Sequence, residues 1–130
     1  MRVFCLLVTI LCVIMAGPAF ADGDNATGTG EGRLVIEGPR NVGAQLNVTF
    51  DMGDYRVPTG QSAAINVNVL ESPAGPAPRI VPGYPKTSMV FEVPGRYVLT
   101  FRLNQIFKSS CGGVEARELL ERTEVMVIVP

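Results

Sequence analysis

The segment of residues 93–103 constrains the fold of this chain more than any other part of it. The segment opens with Pro94 and Gly95, a pair that favours a turn because proline fixes one backbone angle and glycine tolerates the left-handed one. The next residues alternate between an apolar and a more polar set, and the apolar set is Tyr97, Leu99, Phe101 and Leu103. A period of two predicts a β-strand with one buried face.

Other parts of the chain show the same alternation or short apolar runs between turn-forming residues. The further predicted strands are residues 34–36, 45–51, 64–70, 88–93 and 124–130, with a short edge strand at 79–81. Residues 72–86 contain five prolines, and proline lacks the N–H group that a central strand needs. We therefore expect this segment to be a long extended connection.

The last predicted strand is apolar on both faces. Val125, Val127 and Val129 fall on one face, and Met126 and Ile128 fall on the other. A strand of this kind is usually central in a sheet or covered on both sides. We expect the cover to come from the chain itself, and the alternative is a cover supplied by a partner.

The segment between Phe107 and Thr123 permits two interpretations. Ala116, Leu119 and Leu120 recur at helical spacing, which favours a short helix. The glycine pair at 112–113 suits a tight reversal, which favours a long hairpin that pairs back along the strand of residues 97–103. Both interpretations remain open, and the hairpin is preferred.

The beginning of the chain is typical of a secretory signal peptide. Arg2 precedes an apolar run that is too short for a permanent membrane span, and small residues before Ala21 favour cleavage after it. We predict a signal peptide at 1–21, a flexible leader at 22–32 and a folded domain at 33–130. The protein is then secreted or periplasmic, with no stable membrane insertion. The alternative is an uncleaved N-terminal anchor.

Six or seven short alternating strands in about a hundred residues predict an all-β protein, an antiparallel β-sandwich. Residues 91–101, with the sequence FEVPGRYVLTF, resemble the strand–Pro-Gly–Tyr–strand segment of immunoglobulin-like folds. Polycystic-kidney-disease-type, cadherin-like and bacterial immunoglobulin-like modules are the most similar. The resemblance implies an immunoglobulin-like sandwich.

The resemblance also implies a role for one side chain. Tyr97 would form the tyrosine corner, with its hydroxyl bonded to nearby backbone and its ring in the core. Antibody-type domains carry a disulfide cysteine two residues after this tyrosine, and here that residue is Leu99. The chain also has no tryptophan, so the antibody subtype is excluded.

The composition restricts the chemistry. The chain has no histidine, which removes the commonest general base and the imidazole ligands of zinc and copper. Eleven basic residues face twelve acidic ones, so charge gives no reason to expect a nucleic-acid partner. We expect no enzymatic activity, no cofactor, and no catalytic or metal-binding residues.

A few residues remain as candidates for chemistry. Cys111 lies next to two glycines, so it is either a reactive thiol or a bystander in a loop. Asp51 and Asp54 flank a turn where calcium could bind, although two carboxylates alone are ordinary turn chemistry. Asn25 and Asn47 each begin a glycosylation sequon.

The sequence therefore predicts an exported, non-enzymatic module that binds another protein or a surface polymer. Its contacts would come from loops at one end of the sandwich, or from an exposed sheet edge that accepts a strand. The loops we expect there are residues 51–60, 72–86 and 109–113. The alternatives are a module that binds calcium or a small ligand, and a thiol-dependent protein that uses Cys111. The identity of the partner and the oligomeric state do not follow from the sequence.

Overall fold

A computed structural model describes residues 32–130 of the chain. Within these residues the structure is all-β, as predicted, and it contains seven strands. The strands are β1 (Arg33–Glu37), β2 (Gln45–Asp51), β3 (Ser62–Glu71), β4 (Arg79–Val81), β5 (Lys86–Val90), β6 (Gly95–Lys108) and β7 (Val114–Ile128).

The strands form two antiparallel sheets. One sheet has four strands in the order β1-β2-β5-β4, and the other has three in the order β3-β6-β7. Apolar side chains from both sheets form one buried cluster, so the architecture is a sandwich. The part of the chain that the structure describes contains no helix long and apolar enough to cross a membrane.

The core follows from the alternation in β2 and β6. In β2, Leu46, Val48 and Phe50 are buried, and the polar residues between them are partly exposed. The four apolar side chains predicted for β6 are all buried, with at most 1% of their surface exposed. The Phe50 and Phe101 rings meet edge to face, with centroids 6.5 Å apart, which joins the two sheets.

A strand is present at each predicted position, including the short edge strand β4, but some bounds differ. β5 ends at Val90 rather than 93, β7 begins at Val114 and ends at Ile128 rather than spanning 124–130, and β6 continues to Lys108.

The predicted signal peptide and the sequon at Asn25 lie outside the described residues. So does the predicted leader, apart from Gly32. That glycine is buried against Met52 and Leu120, so it belongs to the folded domain.

The segment between Phe107 and Thr123 is a hairpin, and the short helix is wrong. Strands β6 and β7 pair from Gly95–Ile128 to Lys108–Val114, with one bulge near Leu103. The reversal occupies residues 109–113, where Gly112 has a φ of +81°. The apolar pattern that suggested a helix has another cause. The bulge places two consecutive residues, Leu119 and Leu120, in the core.

The described residues do not supply the expected internal cover for the two-faced strand. β7 is an edge strand of its sheet rather than a central one. Met126 and Ile128 are buried, whereas the side chains of Val125, Val127 and Val129 are 52%, 56% and 46% exposed. The second apolar face of β7 is therefore open to solvent in the described part of the chain.

The loops predicted to gather at one end of the sandwich are divided between both ends. Residues 72–78 pack at the end where β6 begins, since Gly95 and Gly75 lie against Pro73 and Val93, respectively. Strand β4 then carries the chain to the opposite end, where the Phe50 N–H donates to the Pro85 carbonyl at 2.8 Å. The three loops were predicted to lie at one end of the sandwich. This prediction is wrong for residues 72–78, which lie at the end opposite to residues 51–60 and 109–113.

Candidate functional site

A groove of 470 Å³ lies beside the loop that follows β2. Its floor is the outer face of β1 and β2, where Val35 and Thr49 are register partners. Its walls come from the β2–β3 loop and from the turn before β5. The side chains that matter for binding chemistry are two tyrosines and three charged residues: Tyr55, Tyr84, Glu37, Asp51 and Arg56.

The two tyrosines of the groove are in unusual environments. The Tyr55 hydroxyl oxygen is buried and finds no hydrogen-bond partner among residues 32–130. Burial raises the pKa of Tyr84 above its ordinary value, and the neighbouring Tyr55 adds to this effect. An unpaired buried hydroxyl costs folding free energy, and ligands or ordered water commonly satisfy such groups.

The carboxylate of Asp51 is already engaged by other groups of the protein and is not free to bind a cation. Its carboxylate accepts a hydrogen bond from the Gly53 N–H at 3.2 Å and forms a 2.8 Å ion pair with Arg33. These two contacts, the backbone N–H first, hold the pKa of Asp51 below its usual value. No third potential metal ligand joins Asp51 and Asp54, because the described residues contain no group of three histidine, cysteine or acidic side chains.

The hairpin between β6 and β7 projects beyond β3 at the same end as the β2–β3 loop. Ser62, the first residue of β3, pairs with Ile106, so the tip of the hairpin extends beyond the end of β3. Cys111 lies in this turn as an exposed free thiol. Among the described residues it joins no group of three histidine, cysteine or acidic side chains.

The most unusual surface is the exposed apolar edge of β7. We call Val125, Val127 and Val129 the valine edge. Their neighbours across the strand pair are Val98, which faces Val125, and Arg96, which faces Val127. Arg96 is an ion-pair partner of Glu71, so the apolar surface has a charged rim on the β3 side. Contiguous exposed apolar surface rimmed by polar groups is typical of an interaction site.

Backbone polar groups are open along the same edge. The Val129 N–H donates to the Arg40 carbonyl at 2.8 Å, and its carbonyl accepts from the Val42 N–H at 2.9 Å. The direction of these groups alternates along an antiparallel strand, so those of Val125 and Val127 point to the same outer side. Within residues 32–130, only the segment at 40–42 pairs with this side of β7.

Residues 114–124 of β7 differ in charge from the residues that follow them. The charged ones are Glu115, Arg117, Glu118, Glu121, Arg122 and Glu124. Arg102 on β6 bonds Glu121 at 2.6 Å and Glu118 at 3.2 Å, so this region is a polar surface. Charges on an edge strand oppose unwanted pairing, and residues 125–129 have none.

No protein-family model, curated protein or solved structure matches this chain. The candidate sites therefore depend on the geometry alone.

The sequence did not indicate the groove, since neither Tyr55 nor Tyr84 belongs to a motif. The two tyrosines are separated by 28 residues of chain, and only the fold brings the β2–β3 loop and the turn before β5 to the same groove. The only signal that could have found them is the presence of two tyrosines in loops. The valine edge did leave a signal, because β7 is apolar on both faces.

Proposed function

We propose that the sandwich is of the immunoglobulin-like type. The strand orders β1-β2-β5-β4 and β3-β6-β7 correspond to the orders A-B-E-D and C-F-G of a constant-type immunoglobulin domain. The Tyr97 hydroxyl donates to the Val93 carbonyl at 2.8 Å from the start of the sixth strand. A tyrosine corner has this arrangement in such domains.

The module acts after export and without catalysis, by binding another protein. The signal-peptide pattern at residues 1–21 supports export, and the absence of histidine supports a binding role over general acid–base chemistry. Of the two partner classes that the sequence predicts, a protein fits better than a surface polymer. A polymer rich in hydroxyl or charged groups would not remove the apolar side chains of the valine edge from water.

The observation that carries this proposal is the valine edge. Its three side chains are about half exposed, and no charge interrupts residues 125–129. An uncharged edge of β-branched residues is a site for aggregation if nothing covers it. A protein partner that covers Val125 and Val127 removes this hazard and buries apolar surface, which favours binding.

Site-specific photo-crosslinking tests the proposal. A photoreactive amino acid replaces Val127 in one variant and Asn66 in a control, and both are expressed in the cell that exports the protein. Asn66 is also exposed on the outer face of the same sheet, but it lies on β3 at the other edge. We expect one specific protein adduct from position 127 and none from position 66. Equal adducts from both positions, or no adduct from 127, would contradict the proposal.

Binding of a small ligand is the second candidate function, and the groove favours it. Its volume falls in the range of small-molecule sites, and one of its lining residues is Tyr55, whose buried hydroxyl finds no partner among residues 32–130. Calcium is less favoured as the ligand, because Asp51 is engaged by Arg33.

A further inference from the structure

We propose that the partner of the valine edge is an extended peptide segment that adds to β7 as a further strand. This inference deepens the proposed function and rests on it. It names backbone pairing along Thr123–Val127 as the mode of binding, in addition to contact with valine side chains.

The outer side of β7 carries backbone N–H and carbonyl groups that can bond a further strand. Val129 shows that the outer side of β7 accepts a neighbouring chain, since its N–H and carbonyl already bond Arg40 and Val42. Val127, Val125 and Thr123 follow at intervals of two, so their N–H and carbonyl groups point to the same side. The segment at 40–42 ends its pairing at Val129, and a strand placed next to it continues along these three residues.

The side chains of β7 define the chemistry of the added strand. On the outer face it meets Val125 and Val127, which are exposed and favour β-branched or other apolar side chains. On the inner face it meets the partly exposed side chains of Arg122 and Glu124, which favour polar or charged ones. The segment is thus amphipathic with a period of two, and it has no proline where it must donate to β7.

Two other occupants fit the edge less well. The leader at residues 22–31 is rich in glycine, aspartate and asparagine, which are depleted in strands. A second copy of the chain that sets Val125 against Val127 in antiparallel pairing also sets Thr123 against Val129. The Val129 backbone groups are already bonded to the segment at 40–42, so that pairing would displace it.

Two substitutions at one residue separate backbone pairing from side-chain contact. Val127→Pro removes an N–H that points away from β6, so the fold tolerates it as edge strands tolerate proline. Val127→Thr keeps the N–H and the branched shape but makes the side chain more polar. Melting curves of both variants verify that they fold. Asn66→Ala, on the opposite edge strand, is the matched control.

The probe is a phage-displayed library of random linear peptides, selected on the full chain as it is processed on export. We expect selected peptides of alternating apolar and polar character that protect the Val125 and Val127 amides from hydrogen exchange. Their affinity falls by more than roughly fivefold in Val127→Pro, and changes by less than about threefold in Val127→Thr and Asn66→Ala.

Three results would overturn the inference. They are recovery of no such peptide, equal binding to the wild type and Val127→Pro, and self-association of the chain through Val127 in sedimentation. Equal loss in Val127→Thr and Val127→Pro would replace strand addition by side-chain docking, and would leave the proposed protein-binding function in place. A failure of the function itself appears in the crosslinking experiment, where position 127 would give no adduct.

Discussion

At the scale of single residues, two buried tyrosine hydroxyls differ in their effect on the stability of the fold. Tyr97 is 1% exposed, and its hydroxyl donates to the Val93 carbonyl at 2.8 Å. Its ring meets Phe91 with centroids 4.6 Å apart. The Tyr55 hydroxyl is equally hidden from water but has no partner among the described residues. The first hydroxyl therefore stabilises the fold, and the second does not.

We expect Tyr97→Phe to lower the free energy of unfolding by about 1 kcal/mol or somewhat more. The variant keeps the ring in the core and leaves the Val93 carbonyl without its donor. Urea denaturation of both proteins measures the difference.

Tyr55→Phe is the matched control for this prediction, because it removes a hydroxyl that makes no hydrogen bond within residues 32–130. We expect its stability to equal or exceed that of the wild type. A loss in Tyr55→Phe as large as that in Tyr97→Phe would show that the two hydroxyls do not differ as described.

The sequence predicted the environment of one tyrosine and not the other. Tyr97 follows a Pro-Gly turn in an alternating strand, so its buried ring could be expected. Its local hydroxyl bond was implied by the resemblance to immunoglobulin-like folds. The surroundings of Tyr55 depend on Tyr84 and on the outer face of β1, which approach it only in the folded chain. No local pattern contains that information.

At the scale of elements, the turn before β6 is fixed by close packing. Gly95 has a φ of +137°, and a Cβ atom there would lie 2.6 Å from the Pro73 side chain. The turn therefore needs glycine for two reasons, its backbone conformation and its contact with the loop after β3. This contact holds residues 72–78 at their end of the sandwich.

We expect Gly95→Ala to destabilise the fold more than Gly112→Ala. Both glycines have positive φ values, but a Cβ atom at Gly112 would meet nothing within 4 Å. The control variant thus carries backbone strain alone, on the order of 1 kcal/mol. The clash with Pro73 adds roughly 1–3 kcal/mol. Equal midpoints of denaturation for the two variants would show that the contact is loose.

The alternation of side chains was enough to find the strands but not their places in a sheet. The apolar pattern of β7 is the same whether the strand is central or at an edge, and it suggested an internal cover. Its place depends on which strands pair with β6, namely β3 on one side and β7 on the other. Pairing is a property of the whole fold, so the edge position appears only in the structure.

At the scale of the whole molecule, the sandwich architecture followed from the number and spacing of short alternating strands. The grouping of loops did not, because the three-residue strand β4 moves the chain from one end of the sandwich to the other. The proposed function depends on one consequence of this architecture. Within residues 32–130, one face of β7 belongs to the core and the other is uncovered.

Thiol labelling of β7 tests this claim most directly. Val125→Cys, Met126→Cys, Val127→Cys and Ile128→Cys are each made in a Cys111→Ser background and treated with a maleimide under native conditions. We expect the thiols at 125 and 127 to react at the rate of an exposed cysteine, and those at 126 and 128 to react only as fast as the protein opens. Equal rates at all four positions, or protection of 125 and 127 in the isolated chain, would contradict the account.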